Sequence, residues 1–146
     1  MSIRENIERA IDKLIENDMV LIENNMEWAT AHKLARYLED HYPEWNIDCE
    51  YNKMGPGFVT KHDSNNQYRR PDIIIHQRGS LVREHNLLVI ELKMATGDDG
   101  DIEKLIDFTS DPSGDRGFQY QFGLKISFHP GMILRWFRNG HEVEVQ

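Results

Sequence analysis

NLLVIELKM, residues 86–94, reads as a buried β-strand that carries a glutamate and a lysine near its end. Side chains alternate along a strand, so Glu91 and Lys93 share one face and Leu92 points to the other. Desolvating a carboxylate and an ammonium side by side is costly, so a buried strand seldom keeps such a pair without use. Upstream lies a second run of the same type, DIIIHQ over 72–77, opened by Pro71-Asp72. If the two strands pair, Asp72 sits beside Glu91.

Reading outward, Ser2 and Glu5 have capping-box spacing, and Ile3, Ile7, Ile11 and Leu14 follow at helical intervals. A first helix is predicted from about Ile3 to Asn17, followed by a short apolar piece from Met19 to Ile22. Asn24 and Glu27 repeat the capping-box spacing, and Trp28, Ala31, Leu34, Ala35 and Leu38 form the apolar face of a second helix, stopped by Pro43. A short strand is expected over 47–52. The stretch 53–69, with Gly-Pro-Gly and Asn-Asn, reads as a long functional loop. A third helix is expected over 101–109, then a strand within 118–128. MILRWF and HEVEV around Asn139-Gly140 form a hairpin over about 131–145. With no repeat or composition break, this order gives one α/β domain over 1–146: a mixed sheet flanked by helices.

The chain has 146 residues, 29% of them charged, and a net charge of −8. This is the balance of a soluble globular protein. No stretch approaches the roughly 20 apolar residues that cross a membrane, and the N-terminus lacks the apolar run of a signal peptide. Cys49 is the only cysteine, so no intramolecular disulfide forms, and a cytoplasmic setting is expected. The acidic balance argues against tight nonspecific gripping of duplex DNA. Positive residues do gather at Lys61, His62, Arg69 and Arg70, and again at Arg78 and Arg83.

Two carboxylates beside a lysine suit metal-assisted phosphodiester hydrolysis. Magnesium prefers carboxylate oxygens, water and phosphate oxygen. Asp72 and Glu91 supply the carboxylates, and the Leu92 carbonyl adds a backbone ligand. Lys93 then orients the attacking water or stabilises charge on the phosphoryl group. Against this stands a plainer reading, in which Glu91 and Lys93 form an ion pair on a solvated face and Asp72 merely starts a strand.

On RRPDIIIHQRG and NLLVIELKM, with Pro71-Asp72 and Glu91-Leu92-Lys93 as the matching residues, the chain resembles the PD-(D/E)xK nuclease superfamily. EWATAHKLARYL and IDCEYN also look like small members of that superfamily. The resemblance covers about 27–128 and implies a restriction-endonuclease-like fold, a Mg²⁺ or Mn²⁺ cofactor, and nucleic acid, DNA first, as substrate. Members often add a helix acid to the metal site, which points to Glu27, with Glu23 and Glu50 as substitutes; Glu27 reads equally as the glutamate of a capping box. Lys104, Arg69 and Arg70 are the candidate phosphate contacts. His76 and His32 read as satisfied or half-exposed histidines rather than ligands. Many members act as dimers, which implies a second copy as partner. The alternative is a noncatalytic module of the same fold that binds nucleic acid or a protein.

Overall fold

A computed structural model describes residues 1–51, 53–54, 59–60, 70–95, 100–110 and 120–146. Helices α1 (Ile3–Glu23) and α2 (Glu27–Glu39) come first. Strands β1 (Asn46–Cys49), β2 (Lys53–Met54), β3 (Val59–Thr60), β4 (Ile73–His76) and β5 (Asn86–Lys93) follow. Then come helix α3 (Asp101–Thr109) and strands β6 (Phe122–Ser127), β7 (Ile133–Arg138) and β8 (His141–Val143). The expected loop over 53–69 lies outside the described residues except for β2 and β3, which pair as a short antiparallel ladder.

Six strands form one mixed sheet in the order β1-β4-β5-β6-β7-β8. β4 lies antiparallel to both β1 and β5, whereas β5 and β6 are parallel. A parallel pair cannot be joined by a tight turn, and α3 supplies the crossover. The period of two decides which layer each residue joins. Ile73, Ile75, Leu88, Ile90, Leu92, Leu124 and Ile126 bury against α1 and α2. Ile74, Val89 and Phe137 face the other way, against Leu105 and Phe108 of α3 and the ring of Tyr120. The sheet is therefore covered on both faces.

Three local expectations need correction. The capping box at Ser2 and Glu5 is present, but α1 continues through a kink at Asp18 (φ −131°), so 19–22 is helical rather than a separate piece. The Tyr37 hydroxyl donates to the Asp18 carboxylate across the α1–α2 hairpin; this tertiary contact lies beyond sequence spacing. Asn24 caps the end of α1 instead of starting α2, whose N-cap is Met26 with no side-chain hydrogen bond. The second capping box does not form, which removes that role from Glu27. Finally, Trp28 is 74% exposed; α2 buries Thr30, Ala31, Leu34, Ala35 and Leu38 instead.

Gly123 lets α3 lie close to the sheet: a Cβ there would meet Thr109 Cγ2 at 3.1 Å and Leu105 Cδ2 at 3.2 Å. At the far edge, Asn139 and Gly140 both take positive φ, as the two-residue turn requires. The Gly140 N–H donates to Thr109 Oγ1 at 3.2 Å. A Cβ on Gly140 would stand 2.8 Å from Ser110 Oγ, so the turn tip rests directly on the end of α3.

Candidate active site

The two carboxylates meet. Ile73 pairs with Ile90, so the antiparallel register carried one residue further sets Asp72 beside Glu91. Asp72 Oδ2 accepts the Leu92 N–H at 2.7 Å, which fixes the carboxyl at the end of the ladder. N–H and C=O of one strand residue point to the same side, so the Leu92 carbonyl lies along the Asp72 edge of β5. The two carboxyls share a hydrogen bond, which raises the pKa of Glu91 and lowers that of Asp72.

Glu91 is 2% exposed. Burial, then the neighbouring charge of Asp72, pushes its pKa well above the usual carboxylate range. Burial also raises Asp72, partly offset by the Leu92 N–H and the Glu91 hydrogen bond. The second oxygen of Glu91, Oε1, has no hydrogen-bond partner among the described residues. A buried acceptor left unsatisfied costs on the order of 1–3 kcal/mol.

The N-terminal turn of α3 covers this pair. Asp101, 4% exposed, opens the helix, and its charge raises Glu91 further. Lys104 Nζ lies 3.7 Å from Asp101 Oδ1, and its charge favours the ionised forms of both Asp72 and Glu91. Lys104 thus belongs with the carboxylates rather than on a remote surface. Lys93 is half-buried on the face that carries Glu91, in register with Ser127.

Glu27 is half-buried in the first turn of α2. Among the described residues, the charges acting most on the pair are Lys104, Glu50 and Asp101, and Glu27 is not one of them. Glu50 stands beside Asp72, its N–H donating to the Asp72 carbonyl at 3.1 Å. Glu23 and His32 are exposed. His76 is 3% exposed and satisfied: its Nε2 donates to Asp48 Oδ2 at 2.7 Å, and Tyr51 packs against its ring. Arg70 is exposed, while Arg69 lies outside the described residues.

Two residues with no place in the sequence reading adjoin Glu91. Asp101 stands in the first turn of α3, where an acidic residue is favoured by the helix dipole alone. Lys125 of β6 stands directly opposite Glu91 in the parallel ladder and is 8% exposed. A signal was available: Phe122, Leu124 and Ile126 alternate with it, so Lys125 interrupts an apolar strand just as Glu91 does.

Among the described residues, no three His, Cys, Asp or Glu side chains form a group arranged to hold a metal ion. What the site offers is a carboxyl pair with one buried oxygen unsatisfied and a backbone carbonyl at its edge. Magnesium commonly takes one or two protein carboxylates and keeps several waters, so the donor set fits that ion. No helix among the described residues is long and apolar enough to cross a membrane. No protein-family model matches the sequence, and no curated protein matches it.

Proposed function

We propose that this chain is a metal-dependent nuclease of the PD-(D/E)xK type, hydrolysing phosphodiester bonds of DNA. The observation that carries the reading is the hydrogen-bonded pair Asp72 and Glu91, in which a buried carboxyl keeps an oxygen without a hydrogen-bond partner among the described residues. The order of elements supports the restriction-endonuclease-like form: helix α2, the antiparallel strands β1, β4 and β5, helix α3 and parallel strand β6.

Asp72, Glu91 and the Leu92 carbonyl would hold a Mg²⁺ or Mn²⁺ ion. When bound, the ion lowers the pKa of its water and polarises the phosphate. Asp72 keeps its orientation through the Leu92 N–H. Glu91 would serve as a ligand in its ionised form, which the charge of Lys104 favours. Lys93 orients the attacking water, and Lys104, partly exposed, meets the phosphoryl oxygens. Lys125, opposite Glu91, adds positive charge where two carboxylates would otherwise repel the phosphate. A single cysteine suits a reducing compartment, and we place the activity in the cytoplasm.

The test is digestion of end-labelled single- and double-stranded DNA and of RNA, with Mg²⁺ or Mn²⁺, by the wild-type, Asp72→Asn and Lys93→Met proteins. Cleavage of DNA by the wild type alone, with each variant down by about 100-fold or more, is expected. Cleavage that survives both substitutions refutes the site. Absence of any cleavage by the wild type selects the noncatalytic binding module, and preference for RNA changes the substrate but not the chemistry.

A further inference from the structure

The exposure of Trp28 is part of a larger pattern. Met19 (43%), Val20 (61%), Met26 (48%) and Trp28 (74%) are four of the nine exposed large apolar residues among those described. All four fall within ten residues of one another at the corner between α1 and α2. Isolated exposed apolar residues need no explanation, but a cluster of them marks a contact surface. On α1 beyond the kink at Asp18, Met19 and Val20 lie four and three residues before Glu23, so the three share one helix face; all are exposed, as is Glu16 just before the kink. Met26, Glu27, Trp28 and Ala29, the residues that open α2, line a shallow concavity of about 410 Å³.

Charge selects the occupant. From Leu14 to Ala31 the chain carries Glu16, Asp18, Glu23 and Glu27 and no lysine or arginine. Asp18 is engaged by Tyr37, whereas Glu16 and Glu23 stand in solvent on either side of Met19 and Val20. An acidic rim repels the phosphates of a nucleic acid and the anionic headgroups of a membrane. It attracts a cation-bearing apolar segment. Methionine side chains, unbranched and polarisable, adapt to varied apolar partners, and a tryptophan in a concavity is the residue type that most often anchors an interface. We propose that this corner is a docking surface for a basic amphipathic helix of a partner protein, with Trp28, Met26, Met19 and Val20 contacting its apolar face and Glu16 and Glu23 its lysines or arginines. The surface stands independently of the carboxyl pair.

The probe is a fluorescein-labelled amphipathic helix of leucine and lysine, about 20 residues long and so about 30 Å. Its control replaces each lysine by glutamate. Binding to the full chain is followed by anisotropy, and the indole by emission. Expected results are a blue shift of Trp28 emission (absent in Trp28→Phe), weakening by salt, and no binding of the glutamate peptide. Because the altered residues are exposed, a variant with Met19→Ser, Val20→Ser and Trp28→Ser folds normally by circular dichroism, and it binds the basic peptide at least about tenfold more weakly. Unchanged affinity in that variant, equal binding of the glutamate peptide, or no binding of the basic one overturns the proposal. Sedimentation velocity and a single-stranded oligonucleotide titration cover the other occupants. Self-association abolished by the triple substitution, or quenching of Trp28 by the oligonucleotide, would also overturn it.

Discussion

Gly123→Ala offers a sharp test of how α3 is seated. The added Cβ would lie 3.1 Å from Thr109 Cγ2, 3.2 Å from Leu105 Cδ2 and 3.4 Å from Phe137 Cβ. Helix and strand must part by a few tenths of an ångström, because ordinary carbon contacts begin near 3.4 Å. Overpacking of this kind costs about 1–3 kcal/mol. Alanine also reduces the freedom of the unfolded chain, which offsets about 0.4–1 kcal/mol where the backbone is compatible. A net loss of about 0.5–2 kcal/mol follows, or about 2–8 °C in Tm for a domain of this size. Thr109→Ser removes the nearest obstructing methyl while keeping the hydroxyl that donates to the Leu105 carbonyl. Alone it costs about 0.8 kcal/mol for the lost buried methyl. Together the two should cost less than their sum by about 1 kcal/mol, measured by urea unfolding of all four proteins. Additivity within about 0.3–0.5 kcal/mol would show that Thr109 does not limit the approach and would refute the reasoning.

Further outcomes follow from the buried polar groups. Glu91 and Asp72 hold protons more tightly folded than unfolded, so the metal-free chain should lose stability as pH rises above the ordinary carboxylate range, with a slope of up to about 1.4 kcal/mol per pH unit for each proton. Glu91→Gln should flatten that slope in chemical denaturation, and Mg²⁺ should stabilise the wild type more at pH 8 than at pH 5; an unchanged slope in the variant contradicts the raised pKa of Glu91. Asp48 behaves oppositely. Burial raises its pKa, but hydrogen bonds from Arg78 and His76 outweigh that and hold it below the usual range. Its contribution is therefore present at neutral pH and lost as pH falls through the acid range. Asp48→Ala, which removes the carboxylate bound by buried His76 and by Arg78, should cost about 2–4 kcal/mol at pH 7, and a loss below about 1 kcal/mol by the same unfolding assay would show the Asp48 contacts to be dispensable. Under the nuclease reading, Lys125→Met should lower the cleavage rate by about tenfold or more with the fold intact by circular dichroism; an unchanged rate removes Lys125 from the site.

The alternation in β4 and β5 was readable in advance because each strand is buried on both faces, so a lone polar residue stands out against its neighbours. That is why Glu91 and Asp72 could be paired from sequence. The helix over 101–109 was equally plain, its apolar spacing matching the buried Leu105 and Phe108. Trp28 misled because helical periodicity counts it as apolar without knowing that α1 ends at Glu23 and turns the first residues of α2 outward. Asn24 misled for the same reason, since one asparagine serves either helix end. Asp101 and Lys125 escaped notice because their importance is topological. Only the crossover that lays α3 over β5 and aligns β6 with it brings them to Glu91.

The contact between Gly140 and Thr109 has a practical corollary. A two-residue surface turn near a chain end is the usual choice for an inserted tag or for new termini in a permuted chain. Here the tip is a wedge against the last turn of α3, the helix whose other end carries Asp101 and Lys104. Lengthening the 139–140 turn would release that wedge and let the helix slide along the sheet. The loss would register two to three strands away, at the carboxyl pair, with no residue there altered.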